Sequence, residues 1–406
     1  MRILFIGMAN SIHLARWVNQ LDDTNWERFI FPTYSVKPHA ELKDLTLINS
    51  GEIPGLQSNR SLRYMNGRLP FFAVDFIQGI TKKRLTPLRP AVYPSPFLVR
   101  ALISTIKQIK PDIIHSLEFQ GAGYLTLEAK KQFKGKFPKW IATNWGSDIY
   151  LFGRLAEHRE RVRAVLGNCD YYSCECERDV ILAGRYGLHG EALPVLPNTG
   201  GFDLVACELW RQTGSPSERK LILLKGYQGW AGRALSGLRA LARCEDILKK
   251  HNYSIAVFSA TPEVKIAAEL LTLETGLLVE IIPSCPHSEM LKKYGQARVY
   301  LGLSISDAIS TSLLESMVMG TFPVQSFTSC ADEWIVDDQN GFIVPPEDVD
   351  IIEKALRRAL TDDALVDRAA AINGEIARKR LDTAIIQPKI INFYQHVYNS
   401  KLENRL

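Results

Sequence analysis

Residues 307–326 read DAISTSLLESMVMGTFPVQS. Asp307 leads a run of small and hydroxyl residues, a helical stretch carrying Glu315 follows, and Gly320 and Pro323 close it. Ser310 or Thr311 stands where a helix N-cap is expected, because a hydroxyl oxygen there accepts a backbone N–H of the first turn. The N–H groups from Thr311 to Leu313 have no carbonyl four residues back, so the spacing predicts that they point outward at the positive end of the helix dipole. That end suits an anion, and the two carboxylates suit hydroxyls on the same ligand. Plain capping with exposed carboxylates would produce a similar string, so the surrounding chain has to decide.

The apolar run RVYLGLS precedes this segment and the stretch ends in TFPVQS, a strand–loop–helix–strand order that repeats elsewhere. RILFIG (2–7), PDIIHSL, WIATNW and YYSCE read as buried strands in the first half, and SIHLARWVNQLDD after the first of them has a helical apolar face. After the polar, Pro/Gly/Ser-containing stretch RQTGSPSERK (211–220), the pattern restarts with LILLKG, SIAVFSA, LVEIIP and GFIVP. Helices such as GRALSGLRALARCEDILKKH and DVDIIEKALRRAL stand among them. Such alternation implies parallel sheets with crossover helices. We expect an α/β chain of two Rossmann-like domains, 1–205 and 206–385, with 211–220 as a linker. A C-terminal helix, 386–406, would pack back toward the first domain. Two such domains would place a cleft at the carboxyl ends of both sheets. Residues 35–100, rich in Pro, Gly and basic residues, specify secondary structure weakly.

Composition narrows the function classes. At 406 residues with 46% hydrophobic content, two cores are the default. The balance of 49 Lys+Arg against 44 Asp+Glu is too even for a dedicated nucleic-acid binder. Seven cysteines without a CxxC pair indicate neither a disulfide framework nor a zinc cage, and suit a reducing compartment. The N-terminus makes a poor signal peptide and a good first strand, and no apolar run is long enough to span a bilayer. The segment from Pro70 to Arg89 mixes aromatics with Lys82, Lys83 and Arg84, the pattern of a solvated surface next to core aromatics and, alternatively, of a peripheral membrane contact.

Other residues join Asp307 and Glu315. In KGYQGWAGRALSGLRAL, glycines 226, 229 and 232 lie between Lys225 at a strand end and Arg233 at a helix start. Glycines let backbone approach phosphate, and the two cations would compensate its charge. In TNWGSDIY, Asn144 and Asp148 follow a strand, where Asp148 is placed to orient a reacting group, to act as a base, or merely to cap a turn. His115 ends PDIIH, and His13 follows the first strand. PNTGGFDL (197–204) suits a crossover between domains.

Together these residues resemble family-4 retaining glycosyltransferases of the GT-B fold, whose hallmark is Glu-x7-Glu. The resemblance rests on MRILFIG, PDIIHSL, TNWGSDIY, PNTGGFD, the Lys225 to Arg233 loop, DAISTSLLESMVMGTFPVQS and NGFIVPPEDVDIIEKAL, and covers nearly the whole chain. It implies two Rossmann-like domains facing each other across a deep cleft. It also implies that Glu315 holds the ribose hydroxyls and that Asp307 takes the first Glu's place at the donor sugar. Ser310, Thr311 and Ser312, with Leu313, would face the phosphates. Lys225 and Arg233 would form the basic diphosphate pair beside Gly226. Ser259 and His287 would line the sugar and base pockets respectively, His13, His115 and Asn144 the acceptor side, and Asp148 would be catalytic with Asp307, Lys225 and Arg233.

Two positions depart from the family pattern: Asp307 replaces Glu, and Trp145 replaces the His of the His-Gly-Ser-Asp motif. The implied reaction moves a sugar from a nucleoside diphosphate, UDP favoured and GDP the alternative, to an acceptor hydroxyl with retention. No metal or other cofactor is expected, the nucleotide sugar being a substrate. The expected partners are that sugar, a glycan or glycolipid acceptor in cell-surface assembly, and the inner membrane face, with no nucleic acid; the expected location is cytoplasmic. An idle sugar-nucleotide or polysaccharide binder, an epimerase and a hydrolase are the competing readings.

Overall fold

A computed structural model describes residues 1–34, 37–49, 62–66 and 92–400. The Pro70–Arg89 membrane segment lies outside the described residues. The chain divides into two compact units: Met1–Gly200 with Gln387–Leu406, and Gly201–Ile386. Among the described residues no helix is long and apolar enough to cross a membrane.

In the first unit the described residues form an eight-stranded parallel sheet. Its strands are β1 (Arg2–Gly7), β2 (Glu27–Pro32), β3 (Leu45–Asn49), β4 (Leu62–Asn66), β5 (Ile113–Leu117), β6 (Lys139–Thr143), β7 (Tyr171–Ser173) and β8 (Glu191–Ala192). Their spatial order is β4-β3-β2-β1-β5-β6-β7-β8, so the winding reverses between β1 and β5. β1 from Ile3 onward and all of β5 are buried because helices cover both sheet faces. On one of those faces Leu4, Ile6 and Ile114 pack with Leu102 of the Pro96–Ile109 helix and Leu125 of the Tyr124–Gln132 helix. Residues 35–100, expected to be weakly specified, contain β3, β4 and the start of that first helix, which Pro96 opens at the position that needs no N–H.

The second unit has six parallel strands among its described residues. They are β9 (Leu221–Lys225), β10 (Ser254–Phe258), β11 (Val279–Ile281), β12 (Ala297–Gly302), β13 (Phe322–Ser326) and β14 (Phe342–Val344). Their order, β11-β10-β9-β12-β13-β14, reverses between β9 and β12. Strand alternation sends Ile222, Leu224, Val299 and Leu301 into one core with Leu238 and Leu356, and Leu223 and Tyr300 into another with Leu313 and Met317. Both faces are therefore covered, as a doubly wound sheet requires.

The expected linker 211–220 is instead part of the second unit. Ser217 gives its backbone N–H to Asp367 Oδ1 at 3.0 Å and its hydroxyl to Oδ2 at 2.8 Å. Buried Arg219 donates to the carbonyls of Ala297, Met319 and Gly320. The polar composition that suggests solvent here serves internal hydrogen bonds. The chain leaves the first unit at Gly200 and re-enters it at Gln387, inside the Thr383–Asn399 helix. Lys139 Nζ donates to the Val397, Tyr398 and Ser400 carbonyls at 2.7, 2.8 and 2.6 Å, satisfying the end of that helix. The single helix expected over 232–251 breaks at buried Cys244 into Ala234–Arg243 and Glu245–Lys250.

Candidate functional site

The carboxyl ends of β9 and β12 flank the point where the second unit's winding reverses, the usual ligand position in an open parallel sheet. Two loops leave these ends and are laced together. Arg233 N–H donates to the Leu303 carbonyl at 3.1 Å, Ile305 N–H donates to the Ala231 carbonyl at 2.8 Å, and Gly232 bridges to Ser304. Gly226 has no room for a side chain, since a Cβ there would lie 2.7 Å from Ala260 Cα. Its N–H is spent on the Phe258 carbonyl at 2.8 Å, so Gly226 shapes the loop and has no amide left to donate to a ligand.

Lys225, at the end of β9, points its ammonium at the second loop. Nζ lies 3.3 Å from Ser310 Oγ, which accepts from it, 4.0 Å from Asp307 Oδ2, and 4.8 Å from the centre of the Tyr227 ring. Burial draws its pKa down, but the neighbouring Asp307, Tyr300, Tyr227 and Glu315 more than reverse this. The net direction is upward and the cation persists at neutral pH.

Ser310 is the N-cap of the Thr311–Val318 helix. Leu313 and Leu314 N–H groups both turn back to the Ser310 carbonyl, at 2.9 and 3.2 Å, and the Leu313 side chain is buried in the core. Leu313 therefore has neither a free amide nor an exposed side chain for a ligand, a correction to the reading from spacing. The tight first turn leaves the N–H groups of Thr311 and Ser312 at the helix start. Asp307 Oδ1 accepts Ala308 N–H at 3.0 Å and holds the approach to this turn.

Glu315 lies one turn further along, with Oε1 2.7 Å from His287 Nε2. His287 opens the His287–Gln296 helix that follows β11, so the contact ties the start of that helix to the second turn of the Thr311–Val318 helix. Ser259, held at φ 52° after β10, lines a pocket of about 450 Å3 with Phe258, Lys265, Ile282, Cys285 and Met290. Arg233 donates through Nε to Glu347 Oε1 at 2.5 Å and through Nη1 to the Gly229 and Gly232 carbonyls at 3.0 and 2.8 Å. Its charge is paired and its fork staples the glycine loop, so Lys225, not a symmetric basic pair, presents the ammonium here. Glu347 escaped the sequence reading because no motif signals a partner 114 residues away.

In the first unit the residues read as acceptor-facing separate into two groups. His13, in the first turn of the Ile12–Asn19 helix that follows β1, and Trp145, in the loop after β6, come together with ring centres 5.7 Å apart. His115 and Asn144 do not line a surface. His115 is wholly buried between Tyr394 OH (2.7 Å) and Thr143 Oγ1 (2.6 Å), and burial lowers its pKa to about 3, so it stays neutral. Buried Asn144 donates to Asp179 Oδ2 at 2.7 Å and accepts from the Tyr172 hydroxyl. Both complete polar networks under the loops, which alternating apolar strands do not advertise.

Asp148 is also buried, with Oδ2 accepting Trp145 N–H at 2.7 Å and Phe119 N–H at 3.2 Å. It joins the loops after β5 and β6 as a positioning residue. Beside it is a carboxylate missed in the sequence, Glu118, whose oxygens accept Gly121 and Ala122 N–H at 2.8 and 2.6 Å. Glu118 sits at φ 78°, a conformation costly for a residue with a side chain. Burial, then mutual repulsion with Asp148, pushes the Glu118 carboxyl up, and burial likewise raises Asp148.

Residues 240–380 match the family described as Glycosyl transferases group 1, and residues 73–171 the family described as Glycosyl transferase 4-like. No curated protein sequence matches the chain. Sucrose-phosphate synthase from Thermosynechococcus elongatus has a similar structure: TM-score 0.70 and 14% identity, covering 99% of this chain and 100% of that one. Anabaena HepE in complex with UDP-glucose gives 0.68 and 13%, covering 97% and 99%. The trehalose 6-phosphate synthase from Burkholderia multivorans gives 0.68 and 12%, covering 98% of each. Identities this low speak for the fold, and the fold is GT-B. The 240–380 match goes further: the second unit carries a group 1 glycosyltransferase domain.

Proposed function

We propose that the chain transfers a hexosyl group from a nucleoside-diphosphate sugar, UDP-linked in preference to GDP-linked, to an acceptor hydroxyl with retention of configuration. The observation that carries this is the convergence of the Lys225 ammonium, the Ser310 hydroxyl and the start of the Thr311–Val318 helix at the β9/β12 reversal. A leaving diphosphate needs such fixed positive charge as the anomeric C–O bond breaks and the electron pair moves to the phosphate oxygen. The acceptor oxygen attacks from the same face, and its proton passes to the departing diphosphate. Glu315, oriented by His287, takes the ribose hydroxyls, and the Ser259 pocket takes the sugar side of the donor. HepE, solved with UDP-glucose, supports a uridine donor.

Lys225 and the helix amides supply the neutralisation, so the proposal requires no metal, and turnover should persist in EDTA. The acceptor is placed in cell-surface polysaccharide or glycolipid assembly, at the cytoplasmic side, on the strength of the family resemblance. Calorimetric titration with UDP, GDP and their hexoses, followed by NMR assignment of the product's anomeric configuration, tests the reading. Absence of binding by every nucleotide sinks it, and an inverted product removes the retaining mechanism.

A further inference from the structure

A second pocket, of about 420 Å3, opens in the first unit at the amino ends of β5 and β6, where that sheet's strands begin. Its walls come from the end of the Pro96–Ile109 helix and from the loop that follows the Tyr124–Gln132 helix. The loop lies in the run KKQFKGKFPK, residues 130–139, which holds five lysines, two phenylalanines and no acid.

The lysines divide by their partners. Lys130 donates to the Asn168 carbonyl at 2.6 Å and lies 3.6 Å from Asp170, Lys131 lies 3.4 Å from Glu128, and Lys139 is spent on the C-terminal helix. Lys107, Lys110, Lys134 and Lys136 have no carboxylate partner among the described residues. All four are exposed, and Lys107, Lys110 and Lys136 line the pocket. Its one carboxylate, Asp112, accepts the Arg2 backbone N–H at 2.7 Å. Inside this cationic rim the wall is apolar: Phe133 and Phe137 meet edge-on with centres 5.5 Å apart, beside Ile106, Pro111 and Pro138. Lys107 Nζ lies 5.8 Å from the Phe133 ring centre.

We propose that this pocket binds an anionic phospholipid, its phosphate at Lys110 and Lys136 and the first part of an acyl chain against Phe133 and Phe137, and so holds the enzyme to a membrane surface. A cationic rim over an apolar floor matches an amphiphile, whereas a nucleic acid offers charge without an apolar tail. The pocket is at the amino ends of the strands, away from the carboxyl ends where His13 and Trp145 meet, so it tethers the enzyme and does not present an acceptor for reaction. It is also separate in sequence from Pro70–Arg89.

Flotation of the full chain with phosphatidylcholine vesicles, with and without phosphatidylglycerol, tests this. Binding is expected only to the anionic vesicles, and it should fall as salt rises. Each neutralised lysine should weaken partition about fivefold, so the Lys110→Gln/Lys136→Gln pair should lose about 25-fold. Turnover of a soluble donor by that variant should be unchanged. Phe137→Ala should weaken vesicle binding while the salt dependence stays. Equal binding to neutral vesicles, or full binding by the lysine variant, overturns the proposal. So does capture of a duplex oligonucleotide in place of vesicles. Displacement by inorganic phosphate together with indifference to Phe137→Ala would reduce the pocket to a simple anion site and overturn it too.

Discussion

Replacing Lys225 with methionine keeps the methylene stem of a largely buried side chain and removes only its charge. At the 4.0 Å separation from Asp307, and with an effective dielectric of about 20, the gross attraction between the two charges is at most ~4 kcal/mol. In the wild type the same ammonium is available to the diphosphate as negative charge builds on it. Loss of one such fixed donor typically costs ~3–4 kcal/mol in the transition state, or about 100- to 1000-fold in kcat. Lys225→Met also removes the cation 4.0 Å from the Asp307 carboxylate, whose charge then weighs more heavily against the diphosphate. Adding Asp307→Asn should therefore recover part of the loss, a coupling of ~1–3 kcal/mol between neighbours. The assay is release of the nucleoside diphosphate at saturating donor, with thermal melting as the folding control. A Lys225→Met enzyme that melts normally and keeps kcat within about tenfold of wild type would refute the assignment of leaving-group stabilisation to this residue.

Glu315→Ala should weaken nucleotide binding by about 10- to 100-fold in calorimetry, the usual worth of a hydrogen bond to a charged group, while melting changes little. Gly232→Ala would put a Cβ 2.0 Å from the Tyr227 carbonyl oxygen; a loss of ~1–3 kcal/mol is expected in denaturant unfolding, because backbone there cannot yield as a flexible side chain would. His115 has its pKa lowered from 6.5 to about 3 by burial, so the folded state binds fewer protons than the unfolded one. Its stability contribution is complete above the unfolded value and is lost as pH falls toward 3. Unfolding midpoints of His115→Gln across this range should show a shallower acid slope than wild type, and an identical slope would contradict the assignment.

The alternation of short apolar runs with amphipathic helices was legible from the first strand onward, because continuous β-rich segments such as RILFIG and RVYLGLS have few other uses. β3 and β4 were not, since LTLIN and LRYMN are short, mixed in polarity and set among Pro and Gly. The stretch 211–220 misled for a related reason: Ser217 and Arg219 look solvated in sequence, yet find Asp367 and three carbonyls far along the chain.

Local pattern alone determined that a helix with Ser310 at its N-cap position follows β12, although the Ser310 hydroxyl meets Lys225 and makes no cap hydrogen bond, and that Lys225 ends a strand beside a glycine loop, because turns and strand ends depend on residues a few positions apart. Tertiary structure decided what those groups face. It brought Lys225 to Ser310 and Asp307, 85 and 82 positions away, and gave Glu315 its His287 partner. It also withdrew Leu313, His115 and Asn144 into the interior and paired Arg233 with Glu347. Burial and long-range pairing depend on how sheets and helices pack, and that information is distributed over the whole chain.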